Sequence, residues 1–229
     1  MRYINTVTPF EQTHFDPTTT TVAPHTVDIK SALGFDLTEA EIIRLCGAPT
    51  GSTITVFHQT SWPTEPVETP PSGVFFKVQN SRYIRTYNVV GVFYDTSAAS
   101  YGLYLKLIDI SHSGPRRMAA RMLAVMVRQA MLIEGLTFLR LLAAGGRSWQ
   151  DLDQSTGERW GGFYAWPRYG FDMPLSQETI DVNSYFPEFP RQLATCMTVR
   201  DILNISGGSV YWKTVGDGWY MEFDLSSTS

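Results

Sequence analysis

The feature that most constrains this chain is a change of hydrophobic period at Gly114. Before it lie three strand-like runs, Val74 to Val78, Tyr83 to Val92 and Tyr101 to Ile110, punctuated by the turn formers Asn80-Ser81 and the stretch Asp95 to Ser100. Their close spacing predicts an antiparallel meander rather than strands separated by helices. After Gly114 the apolar residues Met118, Met122, Val125, Met126 and Ile133 recur at helical spacing, with Arg117, Arg121 and Arg128 on the polar face. Gly135 stops that helix, and Thr137 to Ala144 follows as a short apolar run. A strand, a loop, a helix of about 20 residues and another strand make a parallel crossover. The fold class is therefore α+β (α/β/α-like): a mixed, mostly antiparallel sheet with a central parallel crossover and flanking helices.

The flanking regions extend this plan. Residues 1–37 are rich in Thr and Pro, including Asp16-Pro17-Thr18-Thr19-Thr20-Thr21, and read as an arm with at most one short strand. Thr38-Glu39-Ala40-Glu41 is a capping box that opens a helix carrying Ile42, Ile43, Leu45 and Cys46. Ser52 to Gln59 alternates as a strand does. Residues 61–73 hold too many prolines for a helix or a central strand. An aromatic segment from Trp160 to Phe171 precedes a partly helical stretch at 176–204, clearest at Thr198 to Leu203. Ser206-Gly207-Gly208-Ser209 reads as a linker, and Trp219 to Leu225 as a terminal strand. Residues 38–229 are expected to form a single domain, with the Pro-rich loop 61–73 and an insertion at 172–210.

Composition excludes several function classes. The chain has 229 residues, 43% of them hydrophobic, which supports a packed core. With 18 Lys+Arg against 22 Asp+Glu the net charge is −4, so there is no basic footprint for general nucleic-acid binding. No run approaches the roughly 18 apolar residues of a membrane span, and the start Met1-Arg2-Tyr3-Ile4-Asn5 lacks a signal-peptide stretch. Cys46 and Cys196 sit in apolar contexts and read as buried free thiols. The expectation is a soluble, cytoplasmic protein. His14, His25, His58 and His112 are scattered, without metal-ligand spacing. No Gly-x-Ser-x-Gly, Walker or dinucleotide motif occurs, and Gly145-Gly146-Arg147-Ser148 reads as a plain turn, with an anion-binding turn as the alternative. Arg116, Arg117, Arg121 and Arg128 are the one basic cluster, without aromatics between them for base stacking. The sequence does not fix an oligomeric state, and a homodimer is compatible with it.

The stretch from Tyr101 to Phe171, a strand, a turn opening a long helix, an apolar strand and an aromatic segment ending in Gly170-Phe171, resembles the Gcn5-related N-acetyltransferase (GNAT) superfamily. In that family acetyl-CoA lies where the fourth strand splays from the fifth. The turn after the fourth strand gives backbone amides to the pyrophosphate, with the pattern Gln/Arg-x-x-Gly-x-Gly/Ala. Here the corresponding turn is Gly114-Pro115-Arg116-Arg117-Met118-Ala119-Ala120. Ala119 matches the second small position, Arg117 stands where the first glycine belongs, and Gly114 replaces the leading Gln/Arg. A helix N-terminus favours an anion through its free N–H groups and dipole. Ser113 is the expected cap, and Pro115 fits a first helical turn. The resemblance places Ile108, Asp109 and Ile110 beside the pantetheine arm.

By the same resemblance a tyrosine near the Gly-Phe motif protonates the departing CoA thiolate. Counting back from Gly170-Phe171 reaches Trp166, so Tyr164, two residues earlier, is the first choice, ahead of Tyr169. Asp109, Asp95 and His112 are the candidate bases for the acceptor amine. An aspartate in the apolar run Leu107-Ile108-Asp109-Ile110 suits a base if its face is the cofactor's, and is unremarkable if that face is solvent. The expected function is acyl-CoA-dependent N-acyl transfer to an unidentified amine. The alternative is a catalytically silent GNAT-like interaction or structural module. The Trp166-Pro167-Arg168 and Gly170-Phe171-Asp172 segment also resembles GNAT-like domains associated with phages and mobile elements.

Overall fold

The computed structural model describes residues 7–62, 68–111, 113–147, 160–177, 180–181, 193 and 195–226. The fold is mixed α+β, with helices and a seven-stranded mixed sheet whose strands neighbour one another in chain order. The chain divides into two compact units, Met1–Leu139 with Asp224–Ser229, and Arg140–Phe223.

In the first unit the meander forms as the alternation predicts. Strands β2 (Thr53–Gln59), β3 (Gly73–Gln79), β4 (Asn88–Asp95) and β5 (Ser100–Leu107) pair antiparallel in succession. β3 buries Val74, Phe75, Phe76 and Val78 completely, so both its faces are interior. Gly91 on β4 is dictated by that packing, because a Cβ there would meet the Phe75 ring at 2.3 Å. A register shift between Val89 and Val90 leaves Lys106 as the extra residue of a bulge on β5. Lys106 Nζ donates to Glu68 Oε2, and the Tyr104 hydroxyl donates to Glu68 Oε1 at 2.6 Å. These bonds tie Glu68, within the Pro-rich run, to the sheet. Residues 63–67 of that run lie outside the described residues.

Two strand expectations need correction. The run from Tyr83 is not continuous strand: Asn80 Oδ1 accepts from the N–H groups of Arg82 and Tyr83, folding 81–83 into a turn. β4 begins only at Asn88. β5 likewise ends at Leu107, and Ile110 makes an isolated bridge to Ile84.

The crossover helix α4 spans Met118–Ala130, shorter than the spacing implied. β6 (Leu136–Leu142) follows it. The Tyr101 amide donates to Gly135 O, and the Thr137 hydroxyl donates to Ser100 Oγ. Both bonds join the start of β5 to the start of β6, the parallel arrangement expected of a crossover. β7 (Tyr220–Asp224) ends beside the start of β6, where Leu225 N–H donates to Thr137 O.

The arm is more structured than its composition suggests. It contains α1 (Pro9–His14), β1 (Thr21–Val22) and α2 (Ile29–Leu33), and β1 pairs parallel with β2. Thr8 caps α1 and Pro9 opens it, a helix-start signal that the Thr/Pro-rich composition hides. Phe15 enters a core cluster with Tyr83, Met118, Met122 and Val125. Glu11, 3% exposed, accepts from Arg128 and lies 3.8 Å from Arg121. α3 (Glu39–Leu45) carries the predicted capping box between Thr38 and Glu41.

In the second unit the end of β6 runs antiparallel to the start of β7. Ala143 N–H donates to Trp219 O, and Arg140 pairs with Glu222 at 2.6 Å. α5 (Gly162–Ala165) and a 3-10 turn (Pro167–Tyr169) lead to Phe171, which is fully buried. Helices α6 (Val199–Asn204) and α7 (Gly208–Val215) follow, the first opened by a capping box between Thr198 and Asp201. The Ser206 to Ser209 stretch is therefore no linker. Gly207, in a left-handed conformation, caps α7, and a Cβ on Gly208 would meet Ile202 O at 1.7 Å. Among the described residues no helix is long and apolar enough to cross a membrane.

Candidate functional site

The mouth of α4 differs from an ordinary capped helix. Arg117 occupies the cap position at φ 66, ψ 20, a left-handed conformation that costs a side-chain-bearing residue roughly 1–2 kcal/mol. This is the position at which the family pattern has glycine, the residue that adopts such angles freely. Ser113 is not the cap: its hydroxyl pairs with Ser111 Oγ at 2.8 Å, and no side chain caps the helix. Pro115 precedes the helix and accepts through its carbonyl from Met118 N–H. Arg121 N–H returns to Arg117 O, while the intervening N–H groups of Ala119 and Ala120 have no acceptor among the described residues.

The side chains around the mouth separate cleanly. Met118 is buried in the core cluster, so only its backbone faces the opening turn. Arg116 and Arg117 are exposed, and Gly114, Ala119 and Ala120 are half-buried. A pyrophosphate would meet backbone amides and two guanidiniums here, a donor set that fits the group.

Asp109 lies just before this turn and faces the interior, 8% exposed, rather than solvent. Its Oδ1 accepts from Arg85 Nε at 2.9 Å and Nη2 at 2.7 Å, and its Oδ2 accepts from Thr86 Oγ1 at 2.6 Å. Its backbone N–H donates to Asn88 Oδ1 at 2.6 Å. A carboxylate engaged at both oxygens is the anionic half of a structural ion pair, and this departs from the base suggested by its sequence context. Ile108 and Ile110 flank it half-buried, and Ile110 packs against the Met118 cluster. Asp95 is also committed: its Oδ1 accepts from the backbone of Ser97 and Ala98 and from the Ser97 hydroxyl, shaping the β4–β5 turn. His112 lies outside the described residues.

In the second unit Tyr164 stands apart from the other aromatics. Its hydroxyl is 3.2 Å from Ser209 Oγ. The Arg168 guanidinium is 5.2 Å and the Lys213 ammonium 5.7 Å from its ring centroid. The Ser209 hydrogen bond, aided by these two charges, holds the phenol below its ordinary pKa, with desolvation opposing. Such a phenol gives up its proton more readily. Trp166, the position reached by counting, packs instead against Phe171 at 5.4 Å and Tyr169 at 6.2 Å.

Sequence reasoning missed Arg85 and Thr86, the partners of Asp109, and Ser209, Arg168 and Lys213, the partners of Tyr164. The glycine pair before Ser209, followed by Val210, Tyr211, Trp212 and Val215 at helical spacing, was the available signal for α7. No family model, curated protein or solved structure matches this chain.

Proposed function

We propose that the protein is an acyl-CoA-dependent N-acyltransferase of GNAT type, with the mouth of α4 receiving the pyrophosphate of acetyl-CoA. The observation that carries the proposal is the opening of α4, where Arg117 takes a glycine-like conformation, no side chain caps the helix, and the Ala119 and Ala120 amides have no acceptor among the described residues. A meander, a crossover helix and a parallel following strand surround it in the order the resemblance requires. Backbone atoms of Ile108 and Ile110 would line the pantetheine arm.

In this reading the amine nitrogen attacks the thioester carbonyl, the C–N bond forms and the C–S bond breaks. The leaving sulfur takes a proton, and Tyr164, whose lowered pKa favours proton donation, is the residue the resemblance names for that role. Asp109, held by Arg85 and Thr86, positions the end of the strand, and the proton lost by the amine goes to water. The acceptor is an unidentified amine.

The alternative, a silent GNAT-like module of the kind associated with phages, draws support from the commitment of Asp109 to an ion pair. Calorimetric titration with CoA separates the two. Saturable heat that is lost on replacing Ala119 with a bulky residue supports the transferase. No heat at high-micromolar CoA, with folded protein, leaves the module. If CoA binds, Tyr164→Phe should slow turnover at high pH and leave affinity nearly intact.

A further inference from the structure

We propose that Tyr164, Ser209, Arg168 and Lys213 form a binding site for a phosphate group. The proposal goes beyond acyl transfer and stands without it, since every residue involved belongs to Arg140–Phe223.

Two cations converge on one ring, Arg168 at 5.2 Å and Lys213 at 5.7 Å from its centroid. Among the described residues no carboxylate lies within ion-pair distance of either. This contrasts with Arg85, Arg121, Arg128, Arg140 and Arg200, each of which faces an acid. Two exposed cations on one aromatic ring raise the local positive potential, which favours an anion. The ring faces contribute only weak cation–π attraction at an exposed site.

The hydroxyl pair of Tyr164 and Ser209 gives the site polarity and direction. A guanidinium, an ammonium and two hydroxyls match the oxygens of a phosphate dianion in charge and in donor number. A carboxylate could accept from several of these donors, but it carries one negative charge against the two cations. Ser209 also sits in the first turn of α7, the positive end of that helix, whose Gly207 cap contributes no side chain. Both glycines are fixed by backbone geometry, as Gly207 has φ 77 and Gly208 has no room for a Cβ. The local chain is built to bring the helix opening to the phenol.

The phosphate belongs either to the free ion or to a phosphorylated molecule. The full chain, with ring-labelled tyrosine and the Tyr164 signal assigned through Tyr164→Phe, is titrated at fixed ionic strength with inorganic phosphate, O-phosphoserine and acetate. A saturable Tyr164 shift with phosphate and none with acetate is expected. Tighter binding of O-phosphoserine identifies the ligand as a phosphorylated molecule, and tighter binding of inorganic phosphate identifies it as the free ion. Lys213→Gln and Arg168→Gln are exposed replacements that preserve the fold. Each should weaken phosphate binding by about tenfold, the loss of one charge-assisted hydrogen bond. A shift that never saturates, that acetate reproduces, or that is unchanged in both variants would overturn the proposal.

Discussion

Replacing Arg117 with glycine and, separately, with alanine tests the opening of α4. In an ordinary helical position glycine is less stable than alanine by about 1 kcal/mol, because the unfolded chain gains more freedom. At φ 66 the order should reverse. Left-handed backbone costs a residue with a Cβ roughly 1–2 kcal/mol, and glycine returns roughly 0.5–1 kcal/mol of that as backbone entropy. The net difference favours Arg117→Gly over Arg117→Ala by about 0.5–1 kcal/mol. Arg117 is solvent-exposed, so truncation itself removes little packing. For a chain of this size that margin moves the melting temperature by about 1–4 °C. Urea unfolding followed by tryptophan fluorescence, with thermal melts by circular dichroism, measures both variants. An alanine variant as stable as the glycine one, or more so, refutes the left-handed assignment and with it the likeness of this turn to a glycine-bearing one.

Three further outcomes follow from buried groups. Asp109→Asn leaves Arg85 opposite a neutral side chain and should cost about 3 kcal/mol in urea unfolding; a loss below about 1 kcal/mol would mean that the ion pair does little for the fold. Burial pushes the Cys46 thiol far up, and the residue is fully enclosed, so Ellman's reagent should modify it only as fast as the protein unfolds. Burial also pushes the Tyr211 phenol up to about 12 from an ordinary 10.0, against an opposing effect of Arg147. Because the folded value lies above the unfolded one, this contribution to stability is complete below pH 10.0 and drains away as pH climbs to about 12. Tyr211→Phe should flatten that decline in alkaline unfolding curves, and an unchanged slope would count against the burial.

Where one period ran unbroken, the fold was legible. The alternation of Ser52 to Gln59 became β2, the Thr38–Glu41 box opened α3, and Gly135, at φ 83, ended the turn after α4. Legibility failed where a side chain overrode the pattern. The amide of Asn80 bent a β-branched run into a turn, and Arg117 began α4 with a conformation that no residue preference announces. The candidate site was harder still, because its contacts are distant in the chain. Asp109 meets Arg85 across 24 residues and Tyr164 meets Ser209 across 45, separations that leave no periodic trace.

The burial of Glu11 and Phe15 changes how the beginning of this polypeptide should be handled. A stretch that reads by composition as an arm is a wedge driven under the methionine layer of α4. Trimming it to obtain a tidier sample would uncork that layer and unseat the counter-charge of Arg121, and the shortened product should clump instead of crystallising.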